Sequence, residues 1–252
     1  MTRFAARYPA TAHTFLRALD DDVTIDDDAG HHLSRVRRLR GGEALTAADG
    51  DGLWRPYTVV RVRPGAVDLH AQGAPVVEPQ LDPRLVVAFA LTKGTKPDLA
   101  VQKLTELGVD GVTLLSTRRS VPRWDATREE AAVARLRRIA REAAAQCRRA
   151  RLPEIDGVRP VTELSGRTGL VVADPAGEEP ARLRAPAGGE WMLVVGPEGG
   201  FDPDEVGALR SAAPGGETPV RLRLAPHVLR AETAAIAGAA VLTTRRAANP
   251  HD

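Results

Sequence analysis

The sequence predicts an α/β protein in two parts, a small N-terminal β-barrel followed by a larger domain built on a mostly parallel sheet. Three observations carry this reading. Residues 1–72 hold several short strands separated by turns rich in Asp and Gly, and short strands so close together suit a barrel, which leaves no open edge. Residues 73–83, with Pro75, Pro79 and Pro83, read as a linker. Beyond it, apolar strands alternate with amphipathic helices, the pattern of a parallel sheet covered on both faces. The domains are therefore set at 1–74 and 75–252.

Taken in order, the barrel strands are expected at Val23–Ile25, Ala44–Ala47, Trp54–Val62 and Ala66–His70, with Asp49-Gly50-Asp51-Gly52 closing a tight hairpin because Asp-Gly pairs supply the positive φ such turns need. A short helix is expected from His31 to Arg38, with Leu33, Val36 and Leu39 toward the barrel and the arginines outward. In the second domain Leu85–Leu91 is a continuous apolar strand. Pro97–Leu107 is a helix with proline at its first position and Gly108 at its stop. Val112–Leu115 is the next strand, and Thr127–Arg149 a long helix with Val133, Leu136, Ile139, Ala140 and Ala143 on its inner stripe. Strands follow at Gly169–Ala173 and Trp191–Val195, and helices at Pro203–Ala212 and Leu229–Leu242.

Composition narrows the function classes. With 43% hydrophobic and 27% charged residues the chain reads as a soluble folded protein, and no apolar run reaches the ~18 residues of a membrane span. The first residues lack the apolar core of a secretory signal. The lone Cys147 excludes an intramolecular disulfide and a cysteine-based zinc cluster, so no metal and a cytoplasmic location are expected. The net charge of +2 conceals an asymmetry: from Arg84 to Arg151 there are 15 basic and 7 acidic residues, a local excess of +8. Such a segment suits a polyanion, although a solvated helix face would look the same. Only 3 of the 35 basic residues are lysine, so the arginine excess reads as compositional bias rather than as a functional signal.

No G-x-G-x-x-G follows an early strand and no P-loop sequence occurs, which argues against a Rossmann-type or P-loop nucleotide site. What stands out is Val194-Val195-Gly196-Pro197-Glu198-Gly199-Gly200-Phe201, a strand running into a Gly/Pro turn, and Leu224 to Ala234, a loop feeding an alanine-rich helix. Ligands of parallel sheets gather beyond the carboxyl ends of strands, and glycine permits close backbone approach there. Glu198 and Arg230 would add one charge of each sign, and Glu106 and Glu232 are further acidic candidates. His32, Arg35, Arg38 and Arg40 on the first helix are candidate phosphate contacts, as are Lys93, Arg119, and Arg141, Arg148 and Arg149 on a basic ridge with Arg137.

These residues resemble the ribosomal RNA small-subunit methyltransferase E family. The match runs through His31-His32-Leu33 to Gly42, Lys93-Gly94-Thr95-Lys96, Val101 to Val109, Arg119-Ser120-Val121, Glu142-Ala143-Ala144 with Gln146 and Arg149, and then the Gly196–Phe201 and Leu224–Ala234 blocks, in the same order. The resemblance implies a PUA-like barrel followed by a SPOUT methyltransferase domain with a deep trefoil knot. It implies a homodimer and S-adenosylmethionine held by Leu170, Val172, Gly196, Pro197, Glu198, Gly199, Gly200, Leu224, Ala225, Val228, Leu229 and Thr233. The implied product is N3-methyluridine in 16S rRNA, with the assembled or nearly assembled small subunit as partner, and Arg230 and Glu232 as catalytic candidates. Ala225 and His227 stand where the family usually has Gly and Arg, and Cys147-Arg148 replaces a common Ser-Gly pair. Two other readings remain: a SPOUT enzyme acting on another RNA or a ribose 2′-hydroxyl, and a non-catalytic RNA-binding assembly protein.

Overall fold

A computed structural model of the chain describes residues 4–247, save 121, 181–182, 184–185, 187–188 and 214. It divides into two compact units. The first comprises residues up to Gln80 together with Arg141–Leu152, and the second comprises Leu81–Ala140 and the chain from Pro153 onward.

In the first unit β1 (Ala12–Phe15), β2 (Asp22–Ile25), β3 (Ala44–Ala48), β4 (Leu53–Arg63), β5 (Ala66–Ala71) and β6 (Val76–Val77) share one sheet. Its order is β1-β3-β4-β5-β2, with β6 added to β4. β1 lies parallel to β3 and every other pairing is antiparallel. The hairpin between β3 and β4 forms as the Asp-Gly repeat predicts: the Asp49 carboxylate accepts the amides of Asp51 (2.7 Å) and Leu53 (3.0 Å), while Gly50 and Gly52 take φ of +99° and +105°. Leu33, Leu39, Leu45, Tyr57, Val59, Val67 and Leu69 fill the core between the strands.

Three expectations need correction here. β1 and β6 were unforeseen, and β6 lies inside the stretch read as linker, pairing Val76 and Val77 with Trp54 and Leu53. The first helix starts earlier, as α1 (Asp28–His31) capped by the Asp27 side chain, and then widens into a π turn over His32–Val36. That widening breaks the 3.6-residue period, so Leu33 and Leu39 are buried while Val36 is 67% exposed. Arg38, at φ +53°, ends the helical stretch.

The segment Arg141–Leu152 completes this unit. Arg141 stacks over the Phe15 ring at 4.8 Å and donates to the Phe15 carbonyl at 3.3 Å. Arg148 closes the helix end in the left-handed region, at φ +60°, letting the Arg149 amide reach the Ala144 carbonyl at 2.9 Å. Glycine would fit that position without a Cβ penalty. Nearby Glu78 is buried, accepting the amides of Ala5 (3.1 Å) and Ala150 (3.4 Å), and burial pushes its carboxyl above the usual range.

The second unit alternates β7 (Arg84–Ala90), α2 (Lys96–Glu106), β8 (Gly111–Ser116), α3 (Ala126–Cys147, its last turns counted with the first unit), β9 (Glu154–Pro160), β10 (Leu170–Glu178), β11 (Glu190–Val195), α4 (Pro203–Arg210), β12 (Val220–Leu222) and α5 (Ala231–Ala247). The sheet order is β12-β10-β11-β7-β8-β9, and every neighbouring pair is parallel. β9 and β12 were not foreseen. After β11 the chain passes beyond β10 to form β12, the crossing in which the expected knot would lie.

Alternation sorts the side chains. Leu85, Val87 and Phe89 of β7 join Leu193 of β11 in a core covered by α2, α3 and α5. Val86 and Ala88 join Leu170, Val172, Met192 and Val194 on the other face, under Leu209 of α4 and a short 3-10 turn at Val161–Leu164. Gly238 lets α5 approach β11, since a Cβ there would stand 2.5 Å from Leu193 Cδ2. The far end of α5 is fixed by Arg246, which is 1% exposed, pairs with Asp110 and donates to the Gly108 carbonyl at 2.7 Å. Among the described residues no helix is long and apolar enough to cross a membrane, and no cluster of metal-ligating side chains occurs.

Two stability predictions follow from the first unit. Arg148→Gly is expected to raise stability by roughly 0.5–1 kcal/mol in urea unfolding, because it relieves the left-handed side chain. His13 is buried, with its Nδ1 2.8 Å from the Thr46 hydroxyl, and burial lowers its pKa to about 4 from 6.5. The folded state thus binds fewer protons than the unfolded chain between those values. Stability is complete above about pH 6.5 and falls by about 3 kcal/mol as the pH drops through 4. Unfolding midpoints measured from pH 7 to 4 should show this loss, and His13→Leu should flatten it.

Candidate functional site

The Gly/Pro turn sits where β11 leaves the sheet. The Gly200 amide donates to the Pro197 carbonyl at 2.8 Å, and Gly200 takes φ +70°. At Gly196 a Cβ would lie 3.0 Å from the Phe201 ring, so the bare backbone lets that ring close the turn from below. α4 then starts with a capping box, in which Asp202 accepts from its first turn and Glu205 accepts the Asp202 amide at 2.8 Å.

Against this turn lie the loop after β12, running from Leu224 to Leu229, and the bulge of β10 at Ala173-Asp174-Pro175. The three segments enclose a cleft of about 160 Å³ at the bulge of β10 and the carboxyl end of β11. Its inner wall is apolar, from Ala173, Val195, Phe201, Leu224, Leu229, Ala231 and Ala234. Glu198, His227 and Val228 stand exposed at its mouth. The Asp174 carboxyl is held below its usual range by Arg221 (2.7 Å), which braces the bulge.

Of the cofactor candidates, Gly196, Pro197, Glu198, Gly200, Leu224, Ala225, Val228 and Leu229 are brought together at this cleft. Leu170 and Val172 point into the opposite face of the sheet and pack beside Met192 and Val194, leaving Ala173 of the same strand to line the cleft. Gly199 borders it without lining it, its carbonyl accepting from Arg119 at 2.7 Å. Thr233 is exposed on the first turn of α5.

A lysine that residue patterns did not single out ties the charged groups together. Lys96, at the start of α2, lies 3.3 Å from Glu198 Oε1 and 3.5 Å from Glu232 Oε1. Glu232 is 7% exposed, and its Oε2 has no hydrogen-bond partner among the described residues. The Glu198 carboxyl is held below the usual range, chiefly by a hydrogen bond from its own amide, with Lys96 and Arg230 adding to it against the opposing effect of burial. Arg230 is exposed at the entry to α5, where its carbonyl accepts the Ala234 amide at 2.8 Å. Glu106, the remaining acidic candidate, instead pairs with Lys103 of the same helix at 2.9 Å, a helix-surface contact.

The nucleic-acid candidates divide between the units. His32, Arg35, Arg38 and Arg40 are exposed on the first unit, and Lys93 and Arg119 on the second. The foreseen ridge is largely engaged in packing. Arg137 donates to the Ile155 carbonyl at 3.0 Å, Arg141 stacks on Phe15, Arg148 reaches the Tyr8 carbonyl at 3.4 Å, and Arg149 is half-buried. Val121 lies outside the described residues.

Comparison with known proteins places this architecture. A family profile described as an RNA methyltransferase domain matches residues 79–243, and one described as an RNA methyltransferase PUA domain matches residues 25–71. The chain is thus an RNA methyltransferase domain preceded by a PUA domain. The ribosomal RNA small subunit methyltransferase E of Mycobacterium bovis is 36% identical over 242 residues, 91% of this chain and 90% of that protein. The chain belongs to the ribosomal RNA small subunit methyltransferase E family. A Legionella pneumophila protein described as a methyltransferase, solved in complex with SAM, superposes with a TM-score of 0.77 at 25% identity, covering 93% of this chain and 97% of that one. The Neisseria gonorrhoeae family member bound to S-adenosyl methionine shares the fold, with a TM-score of 0.77 at 23% identity over 93% of this chain and 97% of its own.

The Lys96 contacts make a measurable prediction. Lys96→Met leaves the buried Glu232 charge uncompensated and is expected to cost about 2 kcal/mol in urea unfolding, less than for a fully buried pair because Lys96 is partly exposed. Adding Glu232→Gln in the same chain should restore most of that loss, which a double-mutant cycle reads directly.

Proposed function

We propose that the chain is an S-adenosylmethionine-dependent methyltransferase that methylates N3 of one uridine in 16S rRNA, acting as a homodimer on the assembled or nearly assembled small subunit. The observation that carries this reading is the cleft at the β10 bulge and the carboxyl end of β11, built from the Gly196–Phe201 turn and the Leu224–Leu229 loop in a chain of this family. Its donor set suits the cofactor. The apolar wall can take an adenine, backbone groups freed by the glycine turn can take its polar edge, and Glu198 at the mouth can meet an ammonium. When bound, the cofactor supplies an electrophilic methyl group on its sulfonium. The residues proposed to hold it are Gly196, Pro197, Glu198, Gly200, Leu224, Ala225, Val228 and Leu229, with Leu170 and Val172 setting the strand beneath and Gly199 and Thr233 at the border.

The rest of the task falls to the chain's own side chains. Uracil N3 carries a proton near neutral pH, so the site must accept it and stabilise the charge left on the ring. Arg230, exposed beside the cleft mouth, is proposed to meet the uracil oxygens as that charge develops. Glu198 and Glu232 are the carboxylates within reach of Lys96, and either can take the proton, directly or through water. The uridine has to leave its stack to reach the cleft. His32, Arg35, Arg38 and Arg40 on the N-terminal domain 1–74, with Lys93, Arg119, Arg141, Arg148 and Arg149, are proposed to hold the surrounding RNA by its phosphates. The enzyme is proposed to work in the cytoplasm.

Nucleoside mass spectrometry of small-subunit RNA tests the reading, using subunits from cells that lack the enzyme. New N3-methyluridine confined to one fragment is expected. A methylated ribose, or methylation of a different RNA only, would replace it with the corresponding reading. In the same assay Arg230→Ala should lower turnover by about 10²-fold while cofactor binding persists; full turnover would remove Arg230 from the chemistry.

A further inference from the structure

A second and larger cleft, of about 620 Å³, opens on the same carboxyl edge of the sheet, beyond the ends of β7, β8 and β9. Ligand pockets commonly fall in this size range. Its lining includes Trp124, Arg118, Arg123, Ser116 and Thr162. Trp124 is half-buried, with one side packed on the core, whereas Trp54 (0% exposed) and Trp191 (4%) are enclosed. Ser116, Thr162 and Arg123 are exposed, and none of them has a side-chain hydrogen bond or ion pair among the described residues.

The carboxylates around this cleft have other work. Glu205 accepts the amides of Arg118 (2.7 Å) and Asp202 (2.8 Å), Glu129 accepts the Val158 amide (2.7 Å), and Asp204 pairs with Arg118 (2.7 Å). They fasten strand-end backbone and neighbouring charge, which leaves Arg123 as the uncompensated cation. Two segments join this cleft to the cofactor cleft. In the turn after β8, Arg118 lines the second cleft while the next residue, Arg119, donates to the Gly199 carbonyl of the glycine turn. After β11, Phe201 lines the first cleft, and Asp204 and Glu205 line the second.

We propose that the second cleft is a subsite for an unstacked RNA nucleotide neighbouring the one that is methylated. Its base stacks on Trp124, its phosphate meets Arg123, and its ribose hydroxyl is read by Ser116 and Thr162. The proposal rests on the RNA-methyltransferase reading and adds a site at which the strand is gripped once the target base has left its stack. Flipping removes stacking from the neighbour as well as from the target, and an aromatic face beside the reaction site returns it.

The test titrates the full-length protein with a short single-stranded oligouridylate and follows tryptophan emission. With Trp54 and Trp191 enclosed, saturable quenching reports Trp124. Trp124→Leu should abolish the quenching and weaken binding by roughly 5- to 150-fold. Because Trp124 also touches the core, Arg123→Ala serves as an independent variant on an exposed position. It should weaken binding several-fold and make the salt slope shallower by about one phosphate contact. Both variants should retain wild-type affinity for S-adenosylmethionine and show a raised KM for small subunits. RNA binding without quenching, together with wild-type affinity in Arg123→Ala, would overturn the subsite. Quenching that depends on protein concentration without RNA would assign the cleft to a second copy of the chain instead. If the wild-type protein methylates small-subunit RNA and both variants keep its KM, the subsite fails and the enzyme reading stands. If the wild type methylates no RNA, both fall.

Discussion

Burial of both faces of the parallel sheet is the constraint on which the second unit depends. Strands such as β7 place Leu85, Val87 and Phe89 on one side and Val86 and Ala88 on the other, all enclosed. A sheet covered in this way cannot present ligand-binding groups on either face. Polar chemistry is confined to the edge where strands end and backbone groups lose their ladder partners. Both clefts lie along that edge, one past β11 and beside the bulge of β10, the other past β7, β8 and β9. Glycine matters most at the same place, since Gly196 and Gly200 let the chain turn sharply there without side-chain conflict.

α5 translates that constraint into a fixed site. The loop that closes the cofactor cleft runs directly into this helix, so the loop is only as well placed as the helix is. One end of α5 is held through Glu232 to Lys96, and the other through the buried Arg246 to Asp110 and the Gly108 carbonyl. Lys96 and Gly108 flank the same helix, α2, which also packs on α5. The charged group that bridges Glu198 and Glu232 thus belongs to the scaffold as much as to the site. A buried pair of this kind adds little net stability compared with apolar packing, but removing one partner is costly, and so it fixes geometry.

What could be read from the sequence follows from how local each signal is. The continuous apolar runs of β7 and β11, the proline-started α2 and the Asp-Gly hairpin all announce themselves within a dozen residues. β12 has only three residues, and β9 mixes Glu154, Asp156 and Arg159 with Ile155 and Val158, so neither shows a clean period. β1 is buried at every position, including His13 and Thr14, which no alternation rule would place in a strand. Val36 went astray because a π turn is invisible to a 3.6-residue count. At the site, the Gly196–Phe201 and Leu224–Leu229 blocks were legible as motifs. Lys96 was not, because its partners lie more than a hundred residues away. Leu170 and Val172 share a strand with the cleft but alternate away from it, a distinction that needs the register with β11.

The basic stretch from Arg84 to Arg151 shows why a charge count is a poor map of an interface. Its excess of +8 reads as one ridge, yet its members answer to different demands. Arg84 is enclosed between Glu154 and Glu190, Arg135 pairs with Asp98, and Arg118 with Asp202 and Asp204. Arg141 has its stem and charge laid over Phe15, where desolvation lowers its pKa. A cation that already has a carboxylate or a ring for company gains less from an RNA phosphate, because the exchange releases one favourable contact to make another. The arginines with most to gain are the uncompensated ones, and Arg123 stands at a cleft where the Ser116 and Thr162 hydroxyls are also unengaged and the Trp124 indole is half-buried. Free charge, free hydrogen-bonding groups and an open aromatic face coincide there, and their coincidence locates an interface better than the density of arginine along the chain.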